Sequence, residues 1–570
     1  MAAGKMTIHQ RANAQRAIQN LKTGAPAYQL KPLPGANMKN ASSTTKHGPM
    51  FTETLEKMIV EGYVAGPFNA PPLPEFRANS MMVIEQKDKI RPVLNLSYPK
   101  DRSFNDNVDK EAVPKVRMSS AKQFGQSVLQ AGTGSLMSKM DLKDAYKHVP
   151  AKVQDFRLQG IQFLGAFFVD TQQIFGASTA VANFDNLADT VVTITLTKCS
   201  MPKGLVHRTL DDTACVAPVG SGLCEQFTKT YKETCQELGV KLAEDCPLAE
   251  KAFSNKTKGT VLGIQFDTNL QSWRISNQKA ADILVDIHTI IHGGHVSLEQ
   301  METVAGRLTN FGQMCPFLQA FKRPLNDLLS SFKEDYDILL EVPDQLVRDL
   351  RVWAAVVTAA NSWLPICLEM EDPPLGSLEF VSDAAGGHGT EEWLGVASLG
   401  TNQDGDVWFM CRGSWPPEIR SGKDKKGANF ASKMTTLELV GLFLPLLSVP
   451  KSVQGRNLVL GVDNVSVVFG WENKSVKGDK SASALIRALH LLSCFLECRI
   501  FVRHVPRLTS RESFLADCLT RESTAKPEVW EALQGAEIHE PPAPLWDWLD
   551  HPSMDWDLGL TMIDWIKKNM

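Results

Sequence analysis

The sequence predicts a multidomain protein of mixed α+β and α/β character. Three observations carry that prediction. The chain has 570 residues, enough for about three to five structural units. Short apolar runs bounded by turn residues alternate with segments of helical periodicity along its whole length. Two separate sets of carboxylates, one between Asp141 and Asp212 and one between Asp383 and Asp517, stand at strand ends or early in helices.

Composition narrows the class. Apolar residues make up 43% of the chain, an ordinary globular value. The net charge of −4 lacks the overall basicity typical of nucleic-acid binders. It is unevenly spread, however. The first sixty residues carry eight Lys or Arg against Glu53 and Glu56, whereas Glu537 to Asp557 holds six acids and neither Lys nor Arg. A local basic groove can bind phosphates on a chain of neutral average. The 11 Cys residues are scattered and match no zinc-ligand spacing, which fits buried thiols in a reducing compartment. Met1 to Asn20 has no apolar core, unlike a signal peptide. No apolar run approaches the ~18 residues of a membrane span. The expectation is an intracellular protein, cytoplasmic or nuclear, with no membrane partner.

In chain order, residues 1–50 read as a basic, flexible arm with one helix, Gln10 to Leu21, broken by Pro26, Pro32 and Pro34. Phe51 to Gly62 has helical spacing. Met81 to Gln86 and Arg91 to Leu96 read as strands flanking a Lys87-Asp88-Lys89 turn. Ser119 to Gln130 is a helix. The apolar strand Ser135 to Met140 runs into Asp141, with Asp144 and Tyr146 following. A carboxylate at the end of a buried strand suits a hard cation with oxygen ligands, Mg²⁺ above all. A lone one would more often cap a turn. Phe163 to Val169 is strand-like, Phe175-Gly176-Ala177-Ser178 a loop of small residues, and Ala180 to Leu196 a helix. Leu210-Asp211-Asp212 lies within a second strand, His207 to Ala217. Two adjacent carboxylates in apolar surroundings repel and lose hydration, and a metal compensates. Glu225 to Leu238 is an amphipathic helix and Val261 to Phe266 a strand. Ser297-Leu-Glu-Gln300 is a capping box opening a helix.

Residues 336–376 turn acidic and Pro-containing, around Glu369-Met-Glu-Asp-Pro-Pro374, and read as a connection. Beyond it, Leu378 to Asp383, Trp393 to Leu399 and Val407 to Trp415 are strands. Thr435 to Leu447 is a helix bearing Glu438, and Leu458 to Asp463 a strand. Ala482 to Glu497 is a helix, Ile500 to Val505 a strand, and Ser513 to Thr520 a helix bearing Asp517. The tail, residues 526–570, is rich in Trp, Pro and Asp, and is expected to pack against the second domain.

The order Asp141-x-x-Asp-Ala-Tyr146, Phe175-Gly-x-Ser178 and Leu210-Asp-Asp212 resembles the palm of reverse transcriptases. Gly66-Pro-Phe68, Phe76-Arg-Ala-Asn79 and Arg91-Pro-Val-Leu-Asn-Leu-Ser97 extend the resemblance upstream, and Leu262-Gly-Ile-Gln-Phe-Asp-Thr268 is similar to a primer grip. The wording is most similar to the reverse transcriptase/ribonuclease H segment of DIRS-type, tyrosine-recombinase retrotransposons. The set Asp383, Glu438, Asp463 and Asp517 resembles ribonuclease H. The resemblance implies a right-hand polymerase followed by a ribonuclease H-like domain. Fingers and palm would occupy 51–275, a helical thumb 276–335, and the nuclease 377–525. It implies an RNA-directed and DNA-directed DNA polymerase that also cuts RNA–DNA hybrids. Two Mg²⁺ per site, with Mn²⁺ as a substitute, would be held by Asp141, Asp211 and Asp212 and by Asp383, Glu438, Asp463 and Asp517. Lys89, Arg91, Tyr146, Phe175 and Gly176 would bind the incoming nucleotide, Tyr146 excluding a ribose 2′-OH. RNA template, DNA primer, RNA–DNA hybrid and deoxynucleotides are the implied partners, with recombinase and capsid proteins on other chains.

Three departures stand out. Leu210 replaces the family's Tyr, Thr179-Ala180 its Ala-Pro, and the loop Arg507-Leu-Thr-Ser-Arg-Glu512 lacks its mobile His. The rival reading is a domesticated, non-catalytic nucleic-acid-binding scaffold derived from a retroelement. Intact acids at all seven positions argue against it.

Overall fold

The computed structural model describes residues 6–86, 89–243, 252–360, 362–366, 372–386, 395–402, 404–416, 434–507, 510–521, 527–550 and 558–570. It divides into two compact units, Met1–Ser276 with Trp363–Cys367, and Asn277–Ser362 with Leu368–Met570.

In the first unit the N-terminal stretch, expected as a flexible arm, is docked. Helix Ile8–Thr23 opens on a Thr7–Gln10 capping box. Its buried stripe is Gln10, Asn13, Ala17 and Asn20, polar enough to look solvent-facing in sequence. Two of those amides find partners: Gln10 Nε2 donates to Thr193 at 3.1 Å and Asn13 Nδ2 to Asp189 at 2.9 Å. Further on, Ala36–Asn37 pairs in parallel with Arg77 and Ala78, and Ala27 and Leu33 are buried.

Three sheets follow. One orders Ala36–Asn37, Arg77–Gln86, Gly160–Phe163, Ala166–Asp170 and Val64–Phe68, with Lys89–Asn95 forming a hairpin on Arg77–Gln86. The expected strand Phe163 to Val169 is itself a hairpin, turned at Leu164-Gly165, both at positive φ. A second sheet orders Phe253–Lys256, Leu136–Asp141, Asp212–Ala217 and Val206–Thr209. Here too one expected strand, His207 to Ala217, is a hairpin, closed at Leu210-Asp211. The third orders Lys258–Val261, Ile264–Asp267, Ser272–Arg274 and Leu364–Pro365. Its Leu262-Gly263 turn splits the expected Val261 to Phe266 strand. In all three hairpins a Leu occupies the first turn position at positive φ. That conformation is unusual for Leu, so the turns look apolar and continuous in sequence.

The second unit begins with helices Asn277–Gly293, Leu298–Phe311, Arg323–Ser331 and Asp344–Ala359. Ser297 caps the second of these with Gln300, as its spacing predicts. Of the stretch expected as a separate connection, 336–376, helix Asp344–Ala359 packs in this bundle, whereas Leu364–Pro365 joins the third sheet of the first unit. Trp353 is fully buried, and its Nε1 donates to the Phe321 carbonyl at 3.2 Å.

A six-stranded sheet then orders Arg499–His504, Asn457–Val462, Leu378–Ala384, Gly395–Thr401, Val407–Ser414 and Glu537–His539. Leu378–Ala384 runs parallel to Asn457–Val462 and antiparallel to Gly395–Thr401. Leu437, Leu485 and Leu489, from helices Met434–Gly441 and Lys480–Phe495, pack with Phe380, Phe409 and Leu460 in one core. A separate cluster packs Leu515, Leu519 and Val529 against Ala397, Leu399 and Met410. The tail belongs to this unit, as expected of it, with Leu545, Met562 and Ile566 buried in the larger core.

The expected helix Thr435 to Leu447 is broken into Met434–Gly441 and Phe443–Ser448. Pro445 has no N–H to offer the Gly441 carbonyl. The Ser382 hydroxyl donates to that carbonyl instead, at 3.1 Å. Helix Val465–Glu472 was not expected. Residues 87–88, 367–371, 387–394 and 508–509, which fall within the expected Lys87-Asp88-Lys89 turn, the acidic connection, the strand from Trp393 and the Arg507 loop, lie outside the described residues.

Candidate active sites

The first candidate site grows from side-chain alternation in the second sheet. Met140 and Leu142 face a core with Phe184, Leu187 and Phe227 from helices Ala180–Lys198 and Leu223–Glu237. Successive strand residues point to opposite faces, so Lys139 and Asp141 face away from those helices. Asp141 is the register partner of Asp212 across the antiparallel pair, and Asp211 sits in the two-residue turn between Thr209 and Asp212. The turn is tied back, with the Leu142 N–H donating to the Asp211 carbonyl at 3.1 Å. Leu210 holds φ +52° here.

Asp141 and Asp211 line a cavity of about 590 Å³ with Tyr146, Phe175 and the backbone-strand residues Pro92 to Leu94. Asp212 instead pairs with Lys139, Oδ2 to Nζ at 3.1 Å. The Tyr146 ring packs edge-on to Phe184, centroids 5.6 Å apart, and tilted against Phe175 at 6.0 Å. Burial, then the Asp211 charge, pushes its phenol above the ordinary range.

Gly176 is required where it stands. Its φ is +106°, and a Cβ would meet the Leu94 carbonyl oxygen at 2.8 Å. Sequence reading missed what holds this loop. Asn105 Nδ2 donates to the Gly176 carbonyl, and the Ser178 N–H donates to Asn105 Oδ1, each at 2.9 Å. It missed Lys139 as well, although the strand register makes that pairing deducible. Lys89 and Arg91 lie in the Lys89–Asn95 strand, Gln86 opposite Lys89 and Ile84 opposite Arg91. Their side chains are outside the described residues.

The second candidate site assembles at the C-terminal ends of two parallel strands. Asp383 lies in Leu378–Ala384, Asp463 directly follows Asn457–Val462, and Glu438 reaches in from helix Met434–Gly441. That helix approaches closely because Gly441 lies against Ser382, where a Cβ would come within 2.8 Å of the Ser382 Cβ. Among the described residues, Asp383, Glu438 and Asp463 are the one group of three whose ligand atoms all lie within 4.8 Å of one another. Asp383 and Glu438 are buried.

Burial first, then the charges of Asp383 and Asp463, pushes the Glu438 carboxyl up to about 10. Its Oε2 is buried with no hydrogen-bond partner. Burial likewise raises Asp383, and the Thr520 hydroxyl opposes this by donating to its Oδ2 at 2.6 Å. Asp517 is not gathered with the other three. Arg507 and Arg521 both donate to its Oδ1, Arg521 Nε at 2.8 Å. Burial pushes Asp517 up, but these guanidinium bonds outweigh it and hold its carboxyl below the ordinary range. Arg521 at four residues from Asp517 was readable from helical spacing, whereas Thr520 and Arg507 were not. A cavity of about 390 Å³ opens on Asp383, Glu438, Asp463, Arg507 and Arg521.

Both donor sets are all-oxygen, the chemistry of a hard divalent cation. The fit is tightest at the second site, where an unpartnered buried carboxylate oxygen stands among three mutually repelling acids. Among the described residues, no helix is long and apolar enough to cross a membrane.

No family model and no curated protein matches the chain. Solved structures of foamy viral protease-reverse transcriptase are similar to it. One, of the dRH form in complex with double-stranded DNA, has 13% identity and a TM-score of 0.44, covering 89% of this chain and 81% of that one. Another, in complex with an RNA/DNA hybrid, has 13% identity and a TM-score of 0.45, covering 92% and 64%. A third, with double-stranded DNA, has 14% identity and a TM-score of 0.43, covering 89% and 95%.

Proposed function

We propose that this chain is an RNA-directed and DNA-directed DNA polymerase that also cleaves the RNA strand of RNA–DNA hybrids, of the kind carried by DIRS-type retroelements. The observation that carries the reading is the juxtaposition at the first site. Asp141 and Asp211 open on one nucleotide-sized cavity with the Tyr146 ring. Cavities of about 300–1,000 Å³ suit ligands of that size. In this reading fingers and palm span about residues 51–275, the helices from Asn277 form the thumb, and the sheet from Leu378 carries the nuclease.

Asp141 and Asp211, with Asp212 once released from Lys139, would hold Mg²⁺ at the polymerase site. Asp383, Glu438 and Asp463, with Asp517, would hold it at the nuclease site. The cation, when bound, supplies positive charge that acidifies an attacking hydroxyl or water and offsets charge on the phosphate. The remaining work falls to this chain's own residues. Tyr146, braced by Phe184, occupies the space a 2′-OH would need. Asn105 fixes the Phe175-Gly176 loop that closes the cavity. At the second site Thr520 and the backbone around Gly441 hold Asp383 and Glu438 together before any cation arrives.

The partners are an RNA template, a DNA primer, their hybrid and deoxynucleotides, with recombinase and capsid functions on other chains. Extension of a DNA primer on an RNA template, with Mg²⁺ and with chelator, tests the reading. Extension that requires the cation supports it, and none under either condition rejects it.

A further inference from the structure

A basic cavity separate from that of Asp141 and Asp211 lies in the first unit, lined by residues to which the polymerase reading gives no role. It measures about 630 Å³. Arg16 comes from helix Ile8–Thr23, Lys110 and Lys115 from the segment after Asp109, and Lys152 from the turn beyond Pro150, with Glu111 the one acid among the lining residues. The walls are tied by backbone. The Lys152 N–H donates to the Ala25 carbonyl at 3.0 Å and the Asp109 N–H to the Tyr28 carbonyl at 2.7 Å.

Two features go beyond a collection of surface cations. Asn20 lines the cavity and is 6% exposed, yet its Nδ2 has no hydrogen-bond partner. A buried donor left unpaired is costly, and an anionic oxygen entering the cavity satisfies it. Tyr28 also lines the cavity, half-buried, at φ +50°.

We propose that this cavity binds a backbone phosphate of single-stranded nucleic acid, with the adjoining base or sugar against the Tyr28 ring. Cations beside an aromatic face form the combination that holds single strands without regard to sequence. The donor on Asn20 turns general attraction into a fixed phosphate position. The inference rests on the polymerase reading only in taking a strand as the ligand. Binding is read without turnover, so a failed primer extension and a failed binding result are separate outcomes.

The test measures affinity of the full chain for a labelled single-stranded RNA oligonucleotide across a salt series, by fluorescence anisotropy, with melting curves confirming the fold of each variant. The combined variant Arg16→Gln, Lys110→Gln, Lys115→Gln is expected to flatten the slope of log affinity against log salt by about two. Asn20→Leu is expected to weaken binding about tenfold at fixed salt. Tyr28→Leu is expected to weaken it about tenfold without changing the slope. Unchanged slope and affinity in folded variants overturn the proposal. So does a result in which RNA binding persists while calorimetric binding of tripolyphosphate is lost, because the cavity is then a site for free phosphates.

Discussion

Thr520 braces Asp383: its hydroxyl donates to the Asp383 Oδ2 at 2.6 Å, between helix Arg511–Arg521 and strand Leu378–Ala384. Burial and the charges of Asp463 and Asp517 push the Asp383 carboxyl up, and this bond opposes them. Thr520→Val keeps the volume and removes the donor. Asp383 then binds its proton more tightly, so the acid limb of hybrid cleavage moves to higher pH, by about one unit or more. A pH–rate profile of parent and variant checks this, and an unmoved limb contradicts it.

Glu438 makes a prediction about stability. Its ordinary value is 4.5 and burial raises it to about 10. Between those values the folded state binds more protons than the unfolded one, so stability falls as pH rises through that window. At neutral pH the cost is on the order of 3 kcal/mol. Glu438→Gln removes it and should raise the melting temperature in chelator by roughly 5–10 °C. Mg²⁺ should stabilise the parent, more so at higher pH, and stabilise the variant less. The same substitution should abolish hybrid cleavage and spare primer extension. Loss of both activities would show that they share one site.

Asn105 fixes the Phe175-Gly176 loop through two hydrogen bonds, to the Gly176 carbonyl and from the Ser178 N–H. Asn105→Ala should raise KM for deoxynucleotides about tenfold, with a smaller change in kcat. Equal KM values for variant and parent would leave Asn105 a purely local brace.

Tyr146 is packed on two sides, by Phe184 and Phe175. A ring so held cannot yield to a 2′-OH without strain. Tyr146→Ala should lower the deoxy-over-ribo preference by about ten- to a thousand-fold, about 1–4 kcal/mol. If the ring only packs, overall rate and stability fall while the ratio between the two sugars stays constant.

What the sequence shows and what it hides divide along physical lines. The strand running into Asp141, the Ser297 capping box and most of the strand–helix order after Leu378 follow from periodicity and appear close to their expected bounds, the break after Gly441 and the helix Val465–Glu472 excepted. The hairpins at Leu164, Leu210 and Leu262 do not, because their turns use Leu at positive φ where a turn signal would be Gly or Asn. The N-terminal helix follows from the sequence but its docking does not, because three of the four side chains it buries are amides. At the sites the carboxylates themselves were legible. The groups that hold them were not: Thr520 lies 137 residues from Asp383, Asn105 lies 71 residues from the Gly176 it bonds, and Arg507, ten residues from Asp517, stands outside that residue's helix and so has no helical spacing to it.

The most direct measurement is single-turnover extension of a DNA primer on an RNA template by the parent and by Asp211→Asn. Asp211 is half-buried in the two-residue turn between Thr209 and Asp212, so the near-isosteric substitution is expected to leave folding intact while removing a carboxylate charge from the cavity it shares with Asp141. The account predicts Mg²⁺-dependent extension by the parent and a fall of about three or more orders of magnitude in the variant. Equal rates for the two would contradict it.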